Sequence, residues 1–598
     1  MNVHSYNERP SSLGVKLLVA VGVLLLLVAV AIINTVPPAA GYEISLYDAY
    51  PWYFWLAVVG AMFAGQLVVL LSILVRDVDD RDLTFGIGLI TIPGVTLTFM
   101  PYFRGYPVYG RADVLTHVGM VRDLSEMGIG SNIYPLMHIL IQSLAGATGL
   151  DLLTVTNLPP IVFTIVFLGS MFYMTVYLFE DYRWAIAILP IVLVPLGGSG
   201  HVVVAPYVLS TFLMPFVLFL LLKEQRTHAV SVRALLVFAI VGVVLYHPLT
   251  ALFGVAVFGI YSVLKRIPAF NVGWTGPTYV ASLAVVVFSA WYVNFAGIVF
   301  RFRNVIDELV GPGEGGQTQL DATTATLERT SPDPFDVLRI AVYQYGIDAL
   351  LFALAAAFVA LVVVRWWRGG DAPDLFVLLF GGVAGLFGLS AVLFLTNDLI
   401  VGFGRPLAFG RSFAAVLAGA LCYSLWRNAD DRNRRIAGVA AASLVMLIVA
   451  YLAVFSMFHA PHAAQTNHQV TEMEIDGMEW TFANRNEDLL IDEFGIRQHR
   501  FYHMQHGTDE VPLTIRGGTN MPPPHFNYTE YETLGESYDD DRYLLLTQRG
   551  RIAYPAQFPD YREHWQFTPE DFDRLERDRS VDRVYDNGEF NAYRISSA

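Results

Sequence analysis

The run Tyr109-Gly110-Arg111-Ala112-Asp113-Val114-Leu115-Thr116-His117 gathers a guanidinium, a carboxylate and an imidazole, and Tyr134-Pro135-Leu136-Met137-His138 follows it. A carboxylate set against a hydroxyl can take its proton as a bond forms at that oxygen, so Asp113 is a candidate general base. His117, four residues on, shares the helix face and could orient or relay. Each also has a plainer reading. An aspartate at a helix start is a favoured N-cap, His117 and His138 suit interfacial hydrogen bonding, and Asp123 and Glu126 suit a solvated face.

A second group is cationic. Gly402-Phe403-Gly404-Arg405-Pro406-Leu407-Ala408-Phe409-Gly410-Arg411 sets two arginines between two apolar runs. The arginine fork matches phosphate oxygens, and charge near a membrane interior is costly enough to point to function. Arg405 and Arg411 are therefore candidate phosphate ligands with Arg111 as the alternative; snorkelling to lipid head groups is the plainer reading. His247-Pro248 reads as a turn between helices. Asp77-Val78-Asp79 has a metal-binding form but stands among Asp80, Arg81 and Asp82, which suits a solvated loop. Phosphate-binding Gly-rich loops, the GxSxG elbow, HExxH and CxxC pairs are absent, so no metal or cofactor is expected. The one cysteine, Cys422, excludes an intrachain disulfide.

These residues need a scaffold that water alone does not hold. The chain has 598 residues, is 55% hydrophobic and 15% charged, and has a mean hydropathy of +0.48. A spanning helix takes about 20 apolar residues, and the chain carries about thirteen such runs, several of them short. They are Leu13–Ile33, Trp52–Val75, Leu83–Pro101, Pro159–Leu178, Trp184–Leu196, Ala205–Leu222, Ala234–Tyr246, Leu249–Leu264, Trp274–Gly297, Ile340–Val364, Leu375–Leu395, Ser412–Leu425 and Ile436–Phe458. With the N-terminus cytoplasmic, Arg76/Arg81, Lys223/Arg226/Arg233, Lys265/Arg266, Arg365/Arg368 and Arg427/Arg432/Arg434/Arg435 all fall inside, as the positive-inside rule asks. An odd number of spans then puts the tail outside. The first run exceeds a signal-peptide h-region and reads as a retained anchor, despite Pro37-Pro38-Ala39-Ala40.

Two long segments fall on the external side, Tyr102–Leu158 and Val299–Arg339, and external chemistry belongs there. In the first, Val114, Val118, Val121 and Leu124 form one stripe of an amphipathic helix. Tyr134–Leu144 is apolar but too short to span, so it lies along the interface or re-enters. The second holds Gly311-Pro312-Gly313-Glu314-Gly315-Gly316, a flexible stretch able to cover a site. From Phe458 onward there are 26 Asp and Glu against 13 Arg and no Lys, which places most of the net charge of −15 in the tail. This acid-rich, Lys-poor balance resembles proteins of extreme halophiles, and a basic nucleic-acid footprint is absent. The tail nonetheless reads as folded: Arg542–Thr547 is strand-like, and Val581–Tyr585 and Phe590–Ile595 flank the hairpin signal Asp586-Asn587-Gly588-Glu589. Pro522-Pro523-Pro524 interrupts it, and Asn527-Tyr528-Thr529 is a glycosylation sequon.

With Asp113 opening a loop helix and Tyr134–Leu144 as its companion, residues 83–598 resemble the GT-C superfamily of membrane glycosyltransferases, which includes the dolichyl-phosphate-mannose-dependent enzymes. The resemblance is architectural, with short degenerate motifs. It implies a GT-C-like polytopic α-helical membrane protein with a C-terminal soluble mixed α/β domain. The implied divisions are a helix pair over 1–82, a catalytic core over 83–458 and an external acidic domain over 459–598. It further implies an inverting glycosyltransferase with Asp113 as catalytic carboxylate, His117 beside it, and Arg405, Arg411, Arg111, Tyr134 and His138 at the substrate. The donor would be a polyprenyl-phosphate-linked sugar, and the acceptor a lipid-linked glycan or glycoprotein at the cell membrane. A secondary transporter or lipid flippase is the alternative; it predicts inverted repeats and mid-membrane ionisable groups.

Overall fold

The computed structural model describes residues 13–74, 80–179, 181–267, 279–310, 318–397, 402–428, 431–516 and 520–598. Among the described residues eight helices are long and apolar enough to cross a membrane: Leu13–Thr35, Trp52–Leu74, Leu152–Leu178, Pro206–Thr227, Pro334–Trp367, Leu375–Thr396, Gly404–Arg427 and Arg432–Phe455. Four shorter apolar helices join them, Tyr182–Val192, Val230–Tyr246, Pro248–Leu264 and Val280–Tyr292. The remaining apolar run falls in Asp80–Thr98, which has Pro93 inside it. The chain is a multi-pass helical membrane protein with a small mixed sheet at its C-terminal end.

Small residues set the packing. Gly404–Arg427 is the hub, with 78% of its apolar window buried against 11% for Leu13–Thr35, which turns nearly all its surface outward. Ala414, Ala415, Ala418 and Ala420 of the hub are fully buried. A Cβ at Gly419 would stand 3.0 Å from Ile188 Cα, so the helices meet almost backbone to backbone. Trp52–Leu74 and Asp80–Thr98 approach in the same way, since a Cβ on Gly65 would lie 2.6 Å from the Gly86 carbonyl oxygen.

Helix Pro334–Trp367 has 34 residues, about 51 Å against a hydrocarbon core of about 30 Å. Its N-terminal end therefore projects. There Asp333 N–H donates to the Tyr561 hydroxyl at 2.9 Å, and that hydroxyl donates to Asp336 at 2.9 Å. The segment expected as a covering loop is thus largely helical. Ala296–Val310 and Gln319–Thr330 precede the long helix, the latter started by a Thr318/Asp321 capping box, and Asp333 with Pro334 starts the next. Gly311–Gly316 and Asp77–Asp79 lie outside the described residues.

The tail is welded on. Strand β1 (Val108–Tyr109) pairs antiparallel with β2 (Gln469–Val470), joining the first loop to the residues after the last long helix. The tail sheet has β3 (Leu490–Phe494), β4 (Arg542–Thr547), β5 (Val581–Asp586) and β6 (Phe590–Ile595) in the order β3-β4-β6-β5, with β3 parallel to β4 and the other pairs antiparallel. Side chains alternate along β4. Leu544 and Leu546 enter an aromatic cluster with Phe526, Phe567 and Tyr593, whereas Leu545 joins the main core with Ile491 and Phe590. Gly588 takes φ 98° in the hairpin between β5 and β6. The connection after the first helix is tied in as well: Arg104 pairs with Glu43, and Asn467 Nδ2 donates to the Glu43 carbonyl oxygen at 2.9 Å.

Candidate functional site

Two helices carry the first loop, Asp113–Met127 and Pro135–Thr148. Val114, Val118, Val121 and Leu124 are all buried, so the stripe forms the contact face of the first. That helix packs against the tail helix Gln498–His506, closely enough that a Cβ on Gly119 would fall 2.2 Å from the His503 carbonyl oxygen. Asp123 is not on a solvated face; its Oδ2 accepts the Thr508 N–H at 2.7 Å and the Thr508 hydroxyl at 2.6 Å. The side chain of Glu126 is outside the described residues.

The turn before Asp113 is backbone-strained. Gly110 has φ 113° and Ala112, the N-cap, φ 59° and ψ −113°, a region costly for a residue with a Cβ. Asp113 thus sits just inside the helix and is not the N-cap. Its side chain is 73% exposed, and Oδ1 is 2.9 Å from Arg500 Nη2 on the tail helix. Arg500 Nη1 also donates to Thr116 Oγ1 at 2.7 Å, which fixes the guanidinium against the loop helix.

Behind Asp113 stands a file of imidazoles. His117 Nδ1 lies 3.1 Å from His138 Nε2, and His138 Nδ1 lies 2.9 Å from Asn132 Oδ1. Burial, with His247 and Arg500 nearby, lowers His117 to about 3, and burial with His117 lowers His138 well below the usual imidazole range. Both are neutral at pH 7 and form a hydrogen-bonded support. Tyr134 covers this file: its ring meets His117 edge-on at 5.7 Å and lies parallel to His247 at 5.3 Å. Burial raises the Tyr134 hydroxyl above its ordinary value, opposed by Arg301 and Arg405 and reinforced by Asp113. Tyr134 also connects to Tyr207 through His247, whose ring meets that of Tyr207 edge-on at 5.4 Å.

Arg405 rests over the Tyr207 ring at 5.6 Å, and the Tyr207 hydroxyl donates to the Arg405 carbonyl oxygen. Among the described residues neither Arg301 nor Arg405 pairs with a carboxylate. Arg411 is placed differently. Its Nε and Nη2 hold both oxygens of buried Asp348 at 2.6 and 2.8 Å, and Nη1 donates to the Leu196 carbonyl oxygen at 2.7 Å. Arg111 likewise grips both oxygens of buried Glu474. So Asp113, His117, Tyr134, His138 and Arg405 come together, while Arg411 and Arg111 sit in separate two-pronged ion pairs. Among the described residues no group of three or more His, Cys, Asp or Glu could hold a metal ion.

No family model matches the chain, and no curated protein matches it. Two solved structures have a similar layout, those of ArnT from Cupriavidus metallidurans in the apo state and bound to undecaprenyl phosphate. Identities are 10% and 11% and TM-scores 0.41 and 0.40, with 84% of this chain and 97% of each of those chains covered. These scores lie below 0.5, and the functional reading rests on this chain's own residues.

Sequence reasoning missed Arg500, Arg301 and Tyr207, and it read His247 only as a turn. His247 is indeed a turn residue, with Nδ1 accepting the Leu249 N–H at 3.2 Å, and it is also the stacking partner of Tyr134. Its signal was a ring-bearing polar residue at a helix junction on the side of the long loops. Arg500 had no local signal, because its partner lies on another element far away in the chain.

Proposed function

We propose that the chain is a GT-C-like, inverting glycosyltransferase that moves a sugar from a polyprenyl-phosphate donor to a lipid-linked glycan or glycoprotein. The observation that carries this reading is the row of rings Tyr207, His247, Tyr134 and His117 that links Arg405, a cation with no carboxylate partner among the described residues, to the loop helix bearing the exposed carboxylate of Asp113. Asp113 takes the proton of the acceptor hydroxyl as that oxygen attacks the anomeric carbon from the face opposite the phosphate. The bond from the anomeric carbon to the phosphate oxygen breaks, and the charge left on the lipid phosphate is met by Arg405 and Arg301. Arg500 holds the Asp113 carboxylate in place, and neutral His117 and His138 support the loop beneath it. Arg411 and Arg111 serve through their ion pairs, one bracing the hub helix and the other locking the loop to the tail. The Lys/Arg asymmetry supports a cytoplasmic N-terminus and an external tail.

The test is Asp113→Asn assayed for transfer from a polyprenyl-phosphate sugar in purified membranes. The substitution keeps side-chain size and removes the base, so turnover should fall by about 10² to 10⁴ with expression unchanged. Wild-type turnover in a folded variant would remove Asp113 from the chemistry.

A further inference from the structure

Arg500 also lines a cavity of about 300 Å³, near the lower bound for small-molecule sites. Its walls come from the turn at Arg111 and Ala112, the segment that follows β3, and the helix Gln548–Gln557. It touches Ala112, the chain neighbour of Asp113, and Arg500, the ion-pair partner of Asp113.

Four arginines line it, Arg111, Arg497, Arg500 and Arg549, against a single acid, Glu493. Two of the four are already compensated, Arg111 by Glu474 and Arg500 by Asp113. Among the described residues Arg497 and Arg549 have no carboxylate partner. Glu493 is a weak counter-charge, because burial raises it to about 7; Oε2 accepts the Gln498 N–H, and Oε1 is buried with no partner.

Arg549 is the most telling of them. Nη1 donates to the Gly495 carbonyl oxygen at 3.1 Å, yet the buried Nε–H has no acceptor. Burial, with Arg111 nearby, holds Arg549 down to about 10, opposed by Tyr42 and Glu474. A half-buried cation with a buried orphan donor is costly as it stands, and an oxyanion in the cavity relieves that cost. Phe501 and Met521 supply apolar wall of the kind that packs on a sugar face.

We infer that this cavity receives an anionic sugar of the acceptor, its carboxylate, sulfate or phosphate on Arg549 and Arg497 and a hydroxyl turned toward Asp113. The assignment to the acceptor rests on the glycosyltransferase reading; the anion-binding cavity does not.

Binding to the purified full-length protein in detergent, at fixed ionic strength, tests it with glucuronate, glucose 6-phosphate, glucose and inorganic sulfate as probes. Glucuronate or glucose 6-phosphate should bind at least about ten-fold more tightly than glucose and than sulfate, and the better of the two tells carboxylate from phosphate. Arg549→Gln should weaken that binding by about ten-fold or more, the scale of a lost charged hydrogen bond. Arg497→Gln, at an exposed position, repeats the test without a folding risk. The inference falls if both sugar anions bind no better than glucose, if sulfate binds as well as they do, or if Arg549→Gln and Arg497→Gln both bind like wild type. Failure of the Asp113→Asn transfer assay leaves these binding results standing, and failure here leaves that assay standing, so the two readings can fail separately.

Discussion

Arg405 lies in the first turn of Gly404–Arg427 with its guanidinium over Tyr207 and without a carboxylate partner among the described residues, whereas Arg411 on the same helix forms a two-pronged pair with buried Asp348. At about 100° per residue the two side chains point about 120° apart. Helix phase alone thus sends one toward Tyr207 and the other into the contact with Pro334–Trp367. Two arginines that one motif makes equivalent divide into a candidate ligand and a brace, and what separates them is whether the fold supplies a buried acid.

The largest effect expected from that contrast is on stability. Arg411→Met leaves Asp348 buried and unpaired, and should cost about 3–5 kcal/mol in detergent unfolding. Adding Asp348→Leu should recover most of it, and Arg405→Met should cost little. An Arg405→Met as damaging as Arg411→Met would break the contrast.

Next in size is donor use. Arg405→Lys keeps a charge but loses the fork, and should weaken use of the lipid-phosphate donor by about 1.5–3 kcal/mol with stability unchanged. Lysine snorkels as well as arginine, so a head-group role predicts wild-type donor dependence instead. The concentration dependence of the donor in purified membranes separates the two.

The smallest effect concerns the support under the site. His117 is held near 3 against an ordinary 6.5, so the unfolded chain binds its proton first and the folded state loses stability as pH falls below about 6.5. Above that pH the contribution is fully present. Between about pH 6 and 4, His117→Asn should make the stability slope shallower by up to about 1.4 kcal/mol per pH unit than in wild type. Parallel slopes would mean that His117 is protonated in the folded protein.

Much of the layout was legible along the chain. Each apolar run corresponds to a helix, the stripe Val114, Val118, Val121 and Leu124 is buried, and the strand signals fall on β4, β5 and β6. Of the candidate residues named from the sequence, His117, Tyr134 and His138 touch one another, and Arg405 connects to them through Tyr207 and His247. The misreadings share a cause. Asp123 looks solvated until the tail brings Thr508 to it, and Val299–Arg339 looks like a loop because its caps, Thr318 and Asp333, lie between polar residues with little apolar pattern.

Hydropathy, periodicity and turn chemistry belong to contiguous residues, so the sequence by itself determined a multi-pass helical body, an amphipathic loop helix and a folded acidic tail. The pairing of charges was decided only by tertiary structure. Arg111 finds Glu474 across 363 residues of chain, and Asp113 finds Arg500 only because the tail helix packs against the loop at Gly119. A charge is costly or useful according to what lies within a few ångströms of it, and folding brings those neighbours together from distant parts of the chain.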